Sequence, residues 1–372
     1  MKQIDFENGT ITQNIFMAAI PMLVAQVLNL LYNIVDRIYI ARIPGVGTTA
    51  LGAVGLCFPV IMIITAFSNL FGSGGAPLFS IERGRGNREN AGRILNTSFS
   101  MLALASIVLM LAGLVFARPI LTLFGASADA LTYAYPYLMI YLLGTFPSMI
   151  TTGMNPFINA QGYSTTGMLS VIIGAVANLV LDPLFIFVFQ LGVSGAAIAT
   201  ILSQLFSAVF VLYFLRKKAD YRVRFLTFPE IRACGPCAAN IVSLGTAGFI
   251  MQLTNSLVSI CCNSVLSVTG GDIYISVMTI ISSIRQMVET PIHAMTEGSS
   301  PIISYNYGAR RPERVLQAGI TMAVMALIYT LGMWLVILFA PHFLISIFSS
   351  DESLLADTIL AMKLYFSAFI FM

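Results

Sequence analysis

The sequence predicts an all-α protein that crosses a lipid bilayer many times and consists of two similar copies of one helical unit. Of its 372 residues, 58% are hydrophobic and 9% are charged, whereas soluble domains are about 25% charged. Long apolar stretches recur along the chain, and several motifs reappear about 225 residues later. A spanning helix needs about 20 mostly apolar residues, so the length allows about ten spans.

Six predicted spans form the first copy, residues 1–215. The first contains 21 uncharged residues, from Ile15 to Val35. The second ends before a loop with four arginines, and the third follows that loop. The fourth to sixth share the stretch Ala130–Leu215, in which Asp182 is the only charged side chain. The six spans lie at approximately 15–40, 51–80, 94–117, 131–154, 166–190 and 193–215.

Four further spans form the second copy, residues 239–372. A basic segment, residues 216–238, separates the two copies and is predicted to be a cytoplasmic linker. The spans after it are again apolar runs divided by short polar connections. They lie at approximately 239–266, 274–303, 316–340 and 356–372.

Positive charges predict the orientation, because loops rich in Lys and Arg stay in the cytoplasm. The N-terminus and the loops after spans two, six and eight hold 14 of the 19 basic residues. The opposite loops hold Arg42 and Arg118. We therefore expect a multi-pass protein of the plasma (inner) membrane with a cytoplasmic N-terminus.

The two copies repeat polar positions as well as apolar ones. Gln26, Asn29, Asn33 and Asp36 fall at spacings of 3, 4 and 3, on one face of span one. Gln252, Asn255, Ser259 and Cys262 have the same spacings in span seven, 226 residues later. An even number of spans separates the copies, so they share one orientation. Such parallel repeats are related by an axis along the membrane normal, and the substrate path is expected between them.

The repeat also predicts a longer protein. The second copy stops at Met372, so counterparts of spans five and six are missing from it. We expect a fragment, or the product of a truncated gene, of a twelve-span protein of about 440 residues; the alternative is a ten-span protein that evolved in this form.

The intramembrane acids carry most of the functional signal. An ionised carboxylate in the hydrocarbon layer costs about 2.5–3.5 kcal/mol on insertion scales, so such acids usually bind ions, protons or partners. Asn178 and Asp182 are four residues apart, and their side chains therefore share one face of span five. Asp36 ends the polar stripe of span one. The alternative is structural: Asp36 pairs with Arg37 or with a neighbouring helix, and Asp182 is neutral and hydrogen-bonded for packing.

Several motifs resemble those of the multidrug and toxic compound extrusion (MATE) family. They are Asn33-Ile-Val-Asp36-Arg37, Asn178-Leu-Val-Leu-Asp182-Pro183, Gly192-Val-Ser-Gly195-Ala-Ala-Ile-Ala-Thr200 and Tyr305-Asn-Tyr-Gly308-Ala309. The resemblance implies two six-helix lobes in a V shape, the second truncated here after about four helices. It also implies export of organic, often cationic and amphipathic, compounds coupled to entry of H⁺ or Na⁺.

The resemblance further implies a coupling-ion site in the first lobe, at Asp36, Asn178, Asp182 and Thr200. Other family members use acids in helices seven and ten instead. Span seven has no acid, since Cys262 stands where span one has Asp36. Carboxylate, amide and hydroxyl oxygens suit a hard cation such as Na⁺, and two neighbouring acids also suit a proton. The sequence leaves these two ions open.

A second group of polar residues is predicted to line the cavity. Arg285, Glu289, His293 and Glu297 are each four residues apart, so they form one charged face of span eight. The face is either a cation-attracting wall or proton relay, or a ladder of intrahelical ion pairs. The other candidates are Gln26, Asn29, Asn33, Gln204, Gln252 and Asn255.

The function predicted from these features is ion-coupled multidrug antiport by alternating access. The expected partners are small organic cations or amphipathic drugs and the lipid bilayer, with no nucleic acid, and the chain is expected to be a monomer. No cofactor or metal is expected beyond the coupling ion, and no enzymatic activity, because there is no Walker A motif and no His/Cys cluster. The alternative function is a flippase for lipid-linked precursors, although that activity predicts a wide basic cavity.

Overall fold

A computed structural model describes residues 3–227, 230, 234–346 and 352–367. The regular elements in these residues are helices, which confirms the predicted all-α class. One segment, Leu184–Val188, is π-helical. The α-helices are α1 (Ile11–Ala41), α2 (Gly47–Gly55), α3 (Phe58–Gly84), α4 (Arg88–Leu123), α5 (Ala128–Leu143), α6 (Thr145–Ala160), α7 (Ser164–Pro183), α8 (Gly192–Lys217), α9 (Gly235–Gly308), α10 (Pro312–Phe339), α11 (Pro341–Ser346) and α12 (Glu352–Tyr365).

Side-chain caps fix the beginnings of two helices in the first copy. Asn87 accepts a hydrogen bond from the Asn90 backbone N–H, 3.1 Å away, at the start of α4. Ser127 does the same for the Ala130 N–H, at 3.2 Å, at the start of α5. Such caps satisfy backbone donors that the first helical turn leaves free. The two caps fix the starts of α4 and α5, which follow the loops after predicted spans two and three.

Seven stretches among the described residues are long and apolar enough to span a membrane. They are Ile11–Ala41, Thr49–Gly84, Arg88–Leu123, Ser164–Val188, Gly192–Lys217, Gly235–Asn255 and Pro312–Phe339. They coincide with predicted spans one, two, three, five, six, seven and nine. Predicted span four differs, because it is divided at Gly144 into the 16-residue helices α5 and α6. Predicted span ten corresponds to α12, and its last five residues lie outside the described part of the chain.

Helix α9 contains both predicted spans seven and eight. The expected non-helical connection at 267–273 is wrong, since the backbone stays helical there; Gly270 and Gly271 weaken a helix, but only proline breaks it strongly. Nevertheless, Gly245 packs against Leu70 of α3, and Gly308 packs against Ile81. At 1.5 Å per residue these glycines would be about 95 Å apart in a straight helix, whereas their α3 contacts are about 16 Å apart. Helix α9 therefore bends back on itself.

Contacts between the copies are reciprocal. A Cβ on Gly84 would overlap the carbonyl oxygen of Tyr305, and a Cβ on Gly308 would overlap that of Ile81. Residues 81 and 305 are equivalent in the repeat, as are 84 and 308. The same relation holds where Gly74 meets Gly245 and its equivalent Gly298 meets Ala19. Helices α1 and α3 thus pack against the two halves of α9 by an approximate twofold arrangement, which relies on small residues for close approach.

The buried side chains form separate clusters. The largest lies mainly in the first copy, where it includes Phe79, Phe99 and Phe157, and it extends to Ile241 of α9. A second joins α9, α10, α11 and α12 and includes Ile284 and Ile337. The predicted boundaries at 215/216 and 238/239 stay predictions, and the linker's residues 228–229 and 231–233 lie outside the described chain.

Candidate functional site

Helix α7 brings Asn178 and Asp182 together. The Asn178 Nδ2 donates a hydrogen bond to Asp182 Oδ1 at 3.0 Å. Both side chains are buried, with 3% and 0% of their surfaces exposed. The four-residue spacing predicted this pairing, because residues i and i+4 lie above one another on a helix. The pair is located in the last α-helical turns before the π-helical segment, a kind of irregularity that is frequent at functional sites.

The carboxyl group of Asp36 reaches the same place from α1, which packs along α7. The two carboxyl groups lie within hydrogen-bonding reach of each other. Asp36 Oδ1 and Asp182 Oδ2 are buried and receive no hydrogen bond from a side chain or backbone donor. Two ionised carboxylates have no donor between them, so one shared proton is needed for a hydrogen bond. The arrangement therefore supplies a place for a proton, or oxygen ligands for a cation.

The structural alternative pairs Asp36 with Arg37, but the main contact of Arg37 is with an aromatic ring. The Arg37 guanidinium lies over the Phe58 ring, 4.7 Å from its centroid. A cation over an aromatic face is attracted to the ring's negative quadrupole. Arg37 also interacts electrostatically with Asp36, but the group within hydrogen-bonding reach of the Asp36 carboxyl is Asp182.

Two tyrosines that the sequence reasoning missed complete the surroundings of the acids. Tyr137 of α5 is 3% exposed and interacts electrostatically with Asp36 and Asp182. Tyr32 of α1 interacts with the same two acids. The Tyr137 and Tyr141 rings are stacked, with centroids 6.3 Å apart. The four-residue spacing of Tyr137 and Tyr141 was the available signal, since it puts their phenol groups on one face of α5.

Thr200, the fourth predicted residue, lies on the neighbouring helix α8. Its hydroxyl donates to the Ala196 carbonyl oxygen of its own helix at 2.9 Å. The described contacts therefore join the Thr200 hydroxyl to the backbone of α8 and not to Asp36 or Asp182. Helix α8 is held against α7 elsewhere, because the Ser207 hydroxyl donates to the Ser170 carbonyl oxygen at 2.8 Å. On the same helix, the Gln204 carbonyl oxygen accepts from the Thr151 hydroxyl at 3.4 Å.

The other predicted polar residues lie where the two copies meet. Gln26 Nε2 donates to Glu297 Oε2 at 3.0 Å, which joins α1 to α9. Asn69 Nδ2 donates to Gln252 Oε1 at 3.1 Å, which joins α3 to α9. Both bonds cross from one copy to the other. Polar side chains at membrane depth are stable when they face protein or water, so these pairs favour a polar cleft between the copies.

Exposure of further polar side chains agrees with such a cleft. Asn29 and Asn33 of α1 are exposed, and Asn33 Nδ2 donates to the Asn29 carbonyl oxygen at 2.6 Å. Asn255 and His293 of α9 are also exposed. The side chain of Ser259, the repeat counterpart of Asn33, lies outside the described part of the chain. These residues combine membrane depth with polarity, the combination expected of a surface facing water.

The charged face of predicted span eight divides into two parts. Arg285 Nη1 and Glu289 Oε1 form an ion pair at 3.6 Å, which agrees with the ladder interpretation. Glu297 instead bonds Gln26 across the copies and interacts electrostatically with His293. The charges of Arg285 and Glu289 are therefore neutralised within α9, whereas the Glu297 carboxyl group lies at the cleft between the copies.

The chemistry of the acid pair fits the predicted coupling ions. Asp36, Asp182, Asn178 and the nearby tyrosines offer only oxygen and amide groups, which suit hard cations. The two unsatisfied carboxyl oxygens indicate that the cluster gains hydrogen bonds or ligation when a proton or cation enters. The described residues thus bring three of the four predicted coupling residues into one cluster.

Comparisons with known proteins agree with this architecture. A family model described as MatE matches residues 21–184 and 248–372. The multidrug export protein MepA of Staphylococcus haemolyticus is 26% identical over 353 residues, covering 94% of this chain and 76% of that protein. The outward-facing structure of a multidrug resistance MATE family transporter of the MOP superfamily superimposes with a TM-score of 0.87 at 27% identity, covering 98% of this chain and 80% of that one. A MATE structure in the straight conformation gives 0.89 at 26% identity, covering 100% and 82%.

Proposed function

This chain belongs to the MatE family of membrane transporters, and from that premise we propose that it is an ion-coupled multidrug exporter. Its substrates are small organic compounds, often cationic and amphipathic, and its coupling ion is H⁺ or Na⁺. The relatives that are named as multidrug exporters support the substrate class. The contact between Asp36 and Asp182 is the observation that carries the proposal, because paired acids inside a membrane are ion sites by default.

The acid pair links ion entry to helix position. Asp36 belongs to α1, whereas Asp182 and Asn178 belong to α7. A proton between the two carboxyl groups, or a cation coordinated by both, holds the two helices together, whereas two bare carboxylates repel each other. Ion binding thus changes the relative stability of conformations that differ in the α1–α7 contact. By linkage, drug binding changes when the two ligands favour different conformations.

The cleft between the copies supplies the substrate surface. Glu297 and the polar face of α1 lie at the boundary of the two copies. A carboxylate in a cleft attracts cations, and surrounding apolar walls favour amphipathic ones. Alternating access then moves this cleft between the two sides of the membrane, as parallel repeats allow.

We also propose that the N-terminus and the basic loops face the cytoplasm and that the chain works as a monomer in the plasma membrane. The loops that follow α3, α8 and α9 carry most of the basic residues, and such loops are retained in the cytoplasm. The acid pair and the polar cleft are both built within one chain, so neither requires a second copy.

The decisive experiment is transport into vesicles under an imposed gradient of either H⁺ or Na⁺, with tetraphenylphosphonium as the substrate. Asp182→Asn keeps the size of the side chain but removes its charge, so we expect gradient-driven uptake to fall at least tenfold. Asp36→Asn is expected to behave in the same way. Asp129→Asn is the matched control, because Asp129 is an exposed acid in the first turn of α5. Unchanged uptake by Asp182→Asn would reject ion coupling through this site.

A further inference from the structure

The segment before α1, residues 3–10, lies across one end of the helical bundle and contacts both copies. On the first copy, the Ile4 N–H donates to the Gly162 carbonyl oxygen at 2.9 Å, in the turn between α6 and α7. The Gln3 side chain donates to the Gln161 carbonyl oxygen at 3.0 Å and to Asp220 Oδ2 of the linker at 2.7 Å. Backbone and side-chain bonds therefore fix the beginning of the segment to the first copy.

The end of the segment is fixed to the second copy. The Phe6 carbonyl oxygen accepts from Asn306 Nδ2 at 3.2 Å and from Arg314 Nη2 at 3.3 Å. Arg314 Nη2 also donates to the Gly9 carbonyl oxygen at 2.7 Å. Glu7 forms an ion pair with Arg311 at 2.9 Å. Arg311 and Arg314 belong to the junction of α9 and α10, so these bonds reach the helices of the second copy.

An aromatic contact closes the middle of the segment. Phe6 is 3% exposed, and its ring meets the Tyr305 ring edge to face, with centroids 5.9 Å apart. The Arg83 guanidinium lies 5.5 Å from the Phe6 centroid and 5.4 Å from that of Tyr305. Arg83 is part of α3 in the first copy, and its Nη1 donates to the Ala160 carbonyl oxygen at 2.8 Å. One arginine of the first copy thus joins the segment to an aromatic ring of the second.

These contacts cover the close approach of the two copies. Gly84 and Gly308, the reciprocal pair, follow Arg83 and Tyr305 by one and three residues. Ile4 and Phe6 share a buried cluster with Ile302 of α9, which is fully buried, and with Ala318 of α10. If α3 and α9 separated here, the segment could keep its bonds to one copy only.

We propose that residues 3–10 form a strap that holds the two copies together at the face of the basic loops, and that the strap is released when this face opens. The proposal rests on alternating access, since only a transporter that opens this face needs such a release. The strap's hydrogen bonds and its ion pair are shared between the copies, so release exposes donors and acceptors that water can satisfy. The strap therefore sets the equilibrium between closed and open states of this face.

The test measures access to residue 302 without requiring transport. All variants carry Ile302→Cys, and membranes with both faces accessible are treated with a charged maleimide. The labelling rate at residue 302 is read by peptide mass spectrometry, which separates it from the native cysteines. Because residue 302 is buried under the closed strap, its labelling rate follows the open fraction.

Two charge changes and their combination provide the first arm. Glu7→Lys and Arg311→Glu each remove the ion pair, and we expect each to raise the labelling rate about two- to fivefold, the range for an exposed pair. The combination of Glu7→Lys with Arg311→Glu restores the ion pair with reversed charges, but not the bond from Arg311 to the Glu7 carbonyl oxygen. It should therefore lower the rate below that of either single variant. Failure of the combination to lower the rate would overturn the strap.

A stronger change and a control provide the second arm. Arg314→Ala removes the two hydrogen bonds from a charged donor to the strap, at the Phe6 and Gly9 carbonyl oxygens, so a rise of at least tenfold is expected. Arg85→Glu is the matched control, because Arg85 pairs with Glu82 of its own helix at the same face and should leave the rate unchanged. An equal rise in Arg85→Glu, or no rise in Arg314→Ala, would contradict the proposal. Neither outcome depends on transport, so loss of uptake in Asp182→Asn is judged separately.

Discussion

Asp36 and Asp182 place two carboxyl groups together at a buried site. Asp182 is fully buried, and Asp36 approaches it from another helix. Each retains one oxygen without a donor. A buried polar atom without a partner costs about 1–3 kcal/mol, so both oxygens favour whatever brings them a proton or a cation. The two oxygens without donors therefore lie at the site where the proposed function requires a proton or a cation to bind.

Sequence reasoning was successful at this scale where a single helix carries the signal. The pairing of Asn178 with Asp182 followed from their spacing, and Asp36 followed from its place in an apolar run. Tyr137 was missed because the packing of α5 brings it to the acids. Its four-residue spacing from Tyr141 indicates a shared helical face but not what that face contacts. Thr200 was selected by resemblance, but its hydroxyl has a nearer acceptor in the carbonyl oxygen of Ala196.

The linker contains an acid whose ionisation holds a turn together. Glu230 accepts hydrogen bonds from the Arg224 guanidinium and from the Thr227 N–H, and these bonds lower the pKa of its carboxyl from 4.5 to about 2. A group with a lowered pKa in the folded state stabilises that state above its unfolded pKa. This contribution is therefore complete above about pH 4.5 and is lost as the pH falls towards 2.

Hydrogen exchange at the Thr227 amide checks this pH dependence. We expect its protection factor, relative to an unstructured peptide, to be constant from pH 7 to 5 and to fall between pH 4.5 and 2. In Glu230→Gln the carboxylate is absent, so protection should be low throughout and independent of pH. A wild-type protection factor that stays constant down to pH 2 would show that the ionised carboxyl does not hold the turn.

At the scale of helices, glycines determine how closely the copies approach. Any Cβ at Gly84 or Gly308 meets a backbone carbonyl of the other copy, and backbone cannot rotate away as a side chain can. Overpacking of this kind costs about 1–3 kcal/mol. We expect Gly84→Ala and Gly308→Ala to lower the thermal unfolding midpoint in detergent, with similar shifts because their contacts are equivalent.

Gly92 provides the control for these substitutions. It lies on α4 near the same face, and a Cβ there would meet no atom within 4 Å. Alanine also favours a helix over glycine by about 1 kcal/mol, so Gly92→Ala should raise the midpoint or leave it unchanged. Destabilisation by Gly92→Ala as large as that by Gly84→Ala would mean that the close approach is not the cause.

Helix boundaries show what the sequence could and could not indicate at this scale. Apolar length located the spans, and the basic loops located their ends, because both signals act over many residues. The division of predicted span four at Gly144 was missed, since one glycine in an apolar run is compatible with a helix. A loop was predicted at residues 267–273, where α9 bends. The described backbone instead stays helical from Gly235 to Gly308 while the chain reverses its direction.

At the scale of the whole molecule, Glu297 lies at the boundary of the two copies, where its carboxyl group bonds the neutral Gln26. Glu289, by contrast, is paired with Arg285. Of these two acids, Glu297 is the one that we expect to attract an organic cation. Glu297→Gln keeps the side-chain length and removes that charge. We expect it to weaken tetraphenylphosphonium binding about two- to fivefold, as for an exposed ion pair.

Binding of triphenylphosphine oxide, a neutral compound of similar shape, separates charge from packing. Its dissociation constant, measured by calorimetry, should be unchanged in Glu297→Gln. Glu289→Gln is the matched control and should alter tetraphenylphosphonium binding less than Glu297→Gln does. Equal weakening of both compounds would indicate a packing defect rather than a lost attraction.

The reciprocal glycine contacts have a consequence for ancestry. Where residue i of one unit touches residue j of the other and j touches i, the interface is that of a symmetric dimer. Gly84 with Tyr305 and Gly308 with Ile81 have this form. Before its gene was duplicated and joined, a single ancestral unit would have made both contacts with an identical twin. The two halves now differ at other positions, since the first has Asp36 where the second has Cys262.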